Sequence, residues 1–398
     1  MTDRPALLLY CQHSLGLGHL KRSWALADAL SADFRIVLLS GGVPPRDLPP
    51  PARIEIVHLP PLAQNADGRL VALDDSISVD EARRNRCGII LDTFRALRPA
   101  VVLIELFPFG RRKFAGELMP LLEDASSGPR PLVACSVRDI LVGRGSGQQA
   151  HDDRARALVD TYFDAVFVHT DRQFAALDET FRPRQPLQTP VYYTGFVVSG
   201  AKPPVVAARD GVLVSGGGGR FAEPLFTTAI EAHARLSGPT RLTIVAGPLC
   251  EDSTWHRLVA LAGTRSNIRL QRTVLDLCGE MARSQLSISQ CGYNTALDII
   301  RARVPALVVP FADGGDSEQA DRARRLEALH AVRTLPADRL SAPALAAAIA
   351  QMREFQPAPV SLALDGAGQT ARLLKTLLRA RHVAQVTAPH EPRHEQLA

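Results

Sequence analysis

Short, continuously apolar runs alternate along this chain with stretches of helical period, and the alternation breaks once, near residue 200. In the first half the runs are "ALLLYC", "FRIVLLS", "ARIEIVHL", "AVVLIEL", "PLVACSV" and "DAVFVHT", with helical patterns starting near Leu20 and Val79 and around Glu117 and Asp152. Strands that are apolar on both faces must be covered on both faces, and strand–helix repetition achieves this as a parallel sheet flanked by helices. The Pro-containing stretch "FVVSGAKPPVVAARDG" interrupts the pattern. A second series follows: "GVLVS", "RLTIVAG", "NIRLQR", "QLSISQ" and "PALVVPF", with helices near Glu223 and at "LDLCGEMA", "NTALDIIRA" and "EQADRARRLEAL". The expected fold is α/β, with two doubly wound Rossmann-like domains at 1–198 and 211–381. A linker at 199–210 joins them, and a polar tail at 382–398 is expected to be disordered.

Composition supports that division and narrows the partners. With 398 residues, 46% of them hydrophobic, the chain can bury two ordinary cores. The net charge of +5 is spread over small clusters such as "RRNR" and "GRRKF", and only 5% of residues are aromatic. That pattern suits an anionic ligand or a membrane surface and argues against nucleic acid. Six cysteines without ligand or disulfide spacing read as reduced core thiols of a cytoplasmic protein. The start "MTDRPALLLYCQ" lacks a small-residue cleavage site, and no stretch approaches the ~18 apolar residues that span a bilayer.

Two glycine loops carry the first chemical signal. "GLGH" at Gly16, Gly18 and His19 follows the first apolar run, and Gly216, Gly217, Gly218 and Gly219 follow the first run of the second half. The opening loop is not the dinucleotide fingerprint, because Lys21 stands at its third glycine position, and it lacks the Walker spacing. A glycine turn between strand end and helix start presents backbone N–H groups to an anion. Two such loops facing each other across a domain boundary point to a phosphate-containing ligand in the cleft. Taken singly, each loop fits a plain tight turn equally well.

The segment "SQCGYNTALDIIRARVPALVVPFADGGDSEQADRARRLEALHAV" from Ser289 resembles the donor-binding half of GT-B glycosyltransferases, in particular family 28. That family includes a peptidoglycan transferase that adds GlcNAc to a lipid-linked intermediate. Gly292 in a strand–helix turn, Asp298 on the helix, Pro310–Phe311 at a strand end and Glu318–Gln319 opening the next helix carry the match, with "VSGGGGR" and "GLGH" as the two loops. The resemblance implies that Asp298 holds the ribose hydroxyls and that Glu318 and Gln319 hold the donor sugar. It implies further that the loop from Gly216 to Gly219 holds the diphosphate, the backbone near Val274 the base, and that Arg220 and Asn294 complete the donor set. Asp298 stands where Glu is usual and Glu318 where Gln is usual, which leaves the sugar and the base open.

In the first half, Glu105 ends one strand and is followed by Arg111, Arg112 and Lys113, while Arg138 and Asp139 end another. The resemblance implies an inverting, metal-independent transfer from a nucleoside-diphosphate sugar, UDP-linked, to the hydroxyl of a sugar, a lipid-linked or another small acceptor, with no cofactor. His19 is the expected general base, since imidazole titrates near neutrality, with Glu105 and Asp139 as further candidates. Arg111, Arg112 and Arg138 are expected to meet an anionic acceptor or the inner face of a membrane, although Arg138–Asp139 fits a structural ion pair equally well. "GLGHLKR" is also similar to the loop of nucleotide-sugar hydrolases, so water as acceptor stays open, as does a noncatalytic nucleotide-sugar-binding protein on the same fold.

Overall fold

The computed structural model describes residues 4–13, 17–45, 48–65, 69–143, 147–200, 203–206, 208–218, 221–236, 238–311 and 318–387. In the first half the strands are β1 (Ala6–Cys11), β2 (Arg35–Ser40), β3 (Ile54–His58), β4 (Leu62–Gln64), β5 (Leu70–Ala72), β6 (Val101–Glu105), β7 (Leu132–Arg138), β8 (Ala165–His169) and β9 (Val191–Tyr193). Seven of them form one sheet in the order β3-β2-β1-β6-β7-β8-β9, parallel throughout, while β4 and β5 pair as a separate antiparallel hairpin. The helices of this half are α1 (Gly18–Leu30), α2 (Val79–Leu97), α3 (Ala115–Ser126), α4 (Gln148–Tyr162) and α5 (Leu177–Thr180).

The pleat of β1 explains why both faces are covered. Leu8 and Tyr10 enter a core with residues of α2, α3 and α4, while Leu7, Leu9 and Cys11 enter a second core with Leu20, Leu26 and Leu30 of α1. Each fully buried Leu contributes about 1.5–3 kcal/mol.

The second half repeats the design with β10 (Val212–Ser215), β11 (Leu242–Val245), β12 (Ile268–Gln271), β13 (Leu286–Ser289), β14 (Ala306–Val308) and β15 (Arg333–Thr334). Their order is β12-β11-β10-β13-β14-β15, again parallel. The helices are α6 (Glu223–His233), α7 (Asp252–Ala262), α8 (Leu277–Arg283), α9 (Tyr293–Ala302), α10 (Glu318–Ala328), α11 (Ala342–Gln351) and α12 (Gly366–Thr387). In each sheet the strand order reverses beside the first strand, between β1 and β6 and between β10 and β13. Open α/β sheets bind ligands in the crevice outside the strand ends at such a reversal.

Two expectations need correcting. Residues 382–387 continue α12 instead of starting a disordered tail; residues 388–398 lie outside the described residues. Nor does the chain from 366 belong to the second half's core. Ala371 and Leu374 enter the β1/α1 core, Lys375 Nζ pairs with Asp33 at 2.8 Å, and Arg381 donates to the Pro131 carbonyl. The chain therefore crosses between halves twice, and the crossings run side by side: Phe196 N donates to Ala363 O at 2.7 Å and Gly366 N to Phe196 O at 2.9 Å. A Cβ on Gly366 would lie 2.3 Å from the Gly195 carbonyl oxygen, so the close approach requires glycine there. Among the described residues no helix is long and apolar enough to cross a membrane.

Candidate active site

The crevice between β1 and β6 receives two groups from one helix. At α-helical spacing Gly18 and Lys21 share one face of α1, and His19 and Arg22 share the next. His19 and Arg22 turn to Glu105, the last residue of β6, whose carboxylate is fully buried. His19 Nδ1 lies 2.6 Å from Glu105 Oε1, and Arg22 Nη2 donates to the same oxygen. Arg111, in the left-handed region, brings its Nε to 4.0 Å from Glu105 Oε2. Burial favours the neutral acid, yet His19, Arg22 and Arg111 together hold Glu105 well below the usual carboxylate range. Burial also lowers the His19 imidazole below its ordinary value, against the pull of Glu105. The hydrogen-bond network thus assigns a neutral imidazole that donates from Nδ1 to a carboxylate and keeps its lone pair on Nε2.

His13, the other histidine at the end of β1, is turned to Ser40 Oγ at 3.2 Å, and burial lowers its pKa to about 4.

Across from this crevice, a cavity of about 200 Å³ lies between the strand ends of the second half and the start of α1. Leu17, Gly18 and Lys21 form one wall, Gly216, Gly217 and Gly218 another. Gly217 has φ +59° and packs so tightly on Gly247 that a Cβ on Gly247 would lie 2.7 Å from the carbonyl oxygens of Gly217 and Gly218. The floor is the start of α9: Gly292, Tyr293, Asn294, Thr295 and, one turn on, Asp298.

Three helix starts elsewhere are capped by side chains, Ser78 for α2, Asp276 for α8 and Ser341 for α11, while those of α3, α4, α6 and α7 are not. At the cavity, α1 and α9 have neither a side-chain cap nor an acid in the first turn. Their first N–H groups and the positive ends of their dipoles remain available to an anion.

Asp298 has its pKa raised by burial to about 6, with Lys21 and Arg301 opposing and Asp276 adding. Its ion pair with Arg301 spans 3.6 Å. Gln319 also lines the cavity. Its carbonyl oxygen accepts from Cys291 N and Phe311 N, at 3.0 and 3.1 Å, which leaves its NH2 as the donor.

Other expected site residues are placed differently. Asp139 is buried and doubly bound to Arg322, which, despite burial, holds its carboxyl below the ordinary value. No basic lone pair faces the cleft, so Asp139 drops out as a base. Glu318 gives Oε2 to Arg138 at 2.5 Å and Oε1 to Arg322 at 2.6 Å. Neither Glu318 nor Arg138 is therefore presented to a ligand: they are ion-pair partners between the halves. Val274 and Leu277 both pack against the core of the second half, and Leu277 also lines the cavity. Arg111 joins Glu105, while Arg112 is exposed. Gly16, Gly219 and Arg220 lie outside the described residues.

Sequence reasoning missed Lys21, Thr295, Gln290 and the stacked rings of Phe221 and Phe311, 5.2 Å apart, all at the cavity. Only the three-residue spacing of Gly18 and Lys21 held a readable signal. It also missed Tyr293, whose hydroxyl donates to His169 O and accepts from Val197 N, both at 3.0 Å.

Residues 212–376, the second half and the return of the chain, match the glycosyltransferase family 28 C-terminal domain. The chain has the GT-B fold, and its second half matches a glycosyltransferase domain. The chain is 28% identical over 399 residues to the UDP-N-acetylglucosamine--N-acetylmuramyl-(pentapeptide) pyrophosphoryl-undecaprenol N-acetylglucosamine transferase of Methylorubrum populi, covering 98% of this chain and 99% of that one. Its fold is shared by the calicheamicin glycosyltransferase (TM-score 0.57, 18% identity, 98% of this chain and 100% of that one). Acinetobacter baumannii MurG shares it too (TM-score 0.56, 14% identity, 95% and 100%), as does the spinosyn rhamnosyltransferase in complex with thymidine diphosphate (TM-score 0.55, 20% identity, 94% and 96%).

Proposed function

We propose that this chain is a glycosyltransferase that moves a sugar from a UDP-linked donor to an acceptor hydroxyl, with inversion and without a metal. The observation that carries the reading is the pairing of His19 with buried Glu105 at 2.6 Å beside the glycine-lined cavity. The acceptor hydroxyl gives its proton to His19 Nε2 as its oxygen bonds to the anomeric carbon. The bond from that carbon to the diphosphate breaks on the opposite face, and its electron pair leaves with the nucleotide. Glu105 fixes the tautomer and stabilises the imidazolium that forms.

The donor's diphosphate is assigned to the N-termini of α1 and α9 and the loop at Gly216, its ribose to Asp298, and its sugar to the Gln319 amide. Uridine is favoured by the name of the Methylorubrum relative, and the same name favours a lipid-linked acceptor, reached in the cytoplasm by peripheral contact with the membrane. Arg111 and Arg112 lie on the acceptor side and suit an anionic group there.

Thermal shift with UDP-, dTDP- and GDP-sugars tests the donor. A ligand at 100 times its Kd stabilises by about 2.7 kcal/mol, so the UDP-sugar is expected to raise Tm most. No shift with any of the three contradicts the reading. Free sugar released from the bound donor without acceptor would instead make water the acceptor.

A further inference from the structure

We propose that Lys21 is the cation that receives the departing diphosphate, supplied from the wall that the first half contributes to the donor site. The inference rests on the donor reading above and adds a residue to it.

Three observations converge on Lys21. It lines the glycine cavity, one helical turn beyond Gly18 and on the same face of α1, and it shares the cavity with Gly216 and Gly217 of the opposite wall. Among the described lining residues only Lys21 and Asp298 are charged. The charge of Lys21 reaches Asp298 across the cavity, yet the ion pair of Asp298 is made with Arg301. The ammonium of Lys21 has no hydrogen-bond or ion-pair partner among the described residues, the backbone N–H alone bonding to Leu17 O. Its neighbour Arg22 shows the contrast, being buried and bound to Glu105.

A half-buried ammonium without a partner, facing uncapped helix starts, is arranged for an anion of more than one charge. Charge grows on the diphosphate as the glycosidic bond breaks, so a fixed ammonium there stabilises the transition state more than the ground state. The long, rotatable stem of lysine suits a phosphate that moves as it leaves. The pairing also links the halves: α1 carries the base on one face and the leaving-group cation on the next, so a single helix sets the distance between them.

The test is calorimetric binding of UDP, UMP and uridine to the full chain and its Lys21→Met and Lys21→Arg variants, with kcat measured alongside. Lys21→Met keeps the stem and removes only the charge, and an unchanged Tm verifies folding. Loss of one charged contact predicts that Lys21→Met weakens UDP roughly 10- to 100-fold. Uridine should weaken less than about 3-fold, and Lys21→Arg should recover most of the affinity. UDP bound equally by wild type and Lys21→Met overturns the role of Lys21 and leaves the donor reading standing. A wild-type chain that binds neither UDP nor any other nucleoside diphosphate overturns both.

Discussion

Arg322 in the second half grips Asp139 in the first with two hydrogen bonds, Nε to Oδ2 at 2.7 Å and Nη2 to Oδ1 at 2.8 Å. Both side chains are almost fully buried. Arg322 also donates to Cys291 O and to Glu318, so one guanidinium ties the end of β7 to the start of α9 and to α10. Its face lies 6.0 Å from the centre of the Tyr293 ring, while Arg22, from the His19 cluster, lies 5.3 Å from the same ring. The crevice at Glu105 and the glycine-lined cavity are thus held in one relative position by buried charge.

Removing one member of that pair strands the other. Asp139→Ala is expected to destabilise the chain by about 3–5 kcal/mol, read by denaturant unfolding. The double variant Asp139→Ala/Arg322→Met should recover part of the loss. Equal stability of wild type and Asp139→Ala would contradict the assignment of Asp139 as a structural partner.

Glu105→Gln keeps the shape beside His19 but removes the charge that stabilises the imidazolium. We expect kcat to fall roughly 10²-fold or more with donor Kd within a few-fold. Steady-state kinetics on a variant of verified Tm checks this, and an unchanged kcat would return Glu105 to a purely structural role.

The carboxyl of Asp298 gives a pH signature. Its folded pKa, about 6, lies above the ordinary aspartate value, so between about 4 and 6 the folded chain holds a proton that the unfolded chain releases. Stability attributable to this group is therefore present at low pH and declines as pH rises through that window. Asp298→Asn should gain on the order of 1–3 kcal/mol at pH 7.5 relative to wild type and little at pH 4, while losing donor affinity. In the wild type, donor affinity should weaken as pH falls through about 6. His19, already neutral there, should impose no drop of its own near its ordinary value. Melting curves and donor titrations across pH 4–8 decide this, and a flat donor profile would remove Asp298 from the ribose.

Arg112 is exposed and follows Arg111, which reaches Glu105. Arg112→Glu should raise the acceptor KM and leave nucleotide affinity alone. Equal kinetics of the two proteins on an anionic acceptor would remove it from the acceptor side.

What the sequence made legible were features with local causes. Continuous apolar runs marked the strands, and the glycines at strand ends marked both loops, because backbone approach needs glycine wherever the partner lies. His19, Glu105 and Gln319 sit at strand ends or first helical turns, and Asp298 one turn into α9, near the edge where an α/β sheet presents its chemistry. The misplaced residues have distant causes. Asp139 and Arg322 are 183 positions apart, and Glu318, which the resemblance assigns to the sugar, gives its oxygens to Arg322 four residues on and to the distant Arg138. The return of α12 to the first half has no local signal, because the packing partners of Ala371 and Leu374 lie at the other end of the chain.

The most direct measurement of the central claim is turnover of a UDP-sugar, followed as UDP released and sugar transferred to acceptor, for wild type against His19→Ala and His19→Gln. If His19 is the base, both variants bind donor within a few-fold of wild type while kcat falls roughly 10²- to 10⁴-fold. Full transfer by both variants would contradict the account.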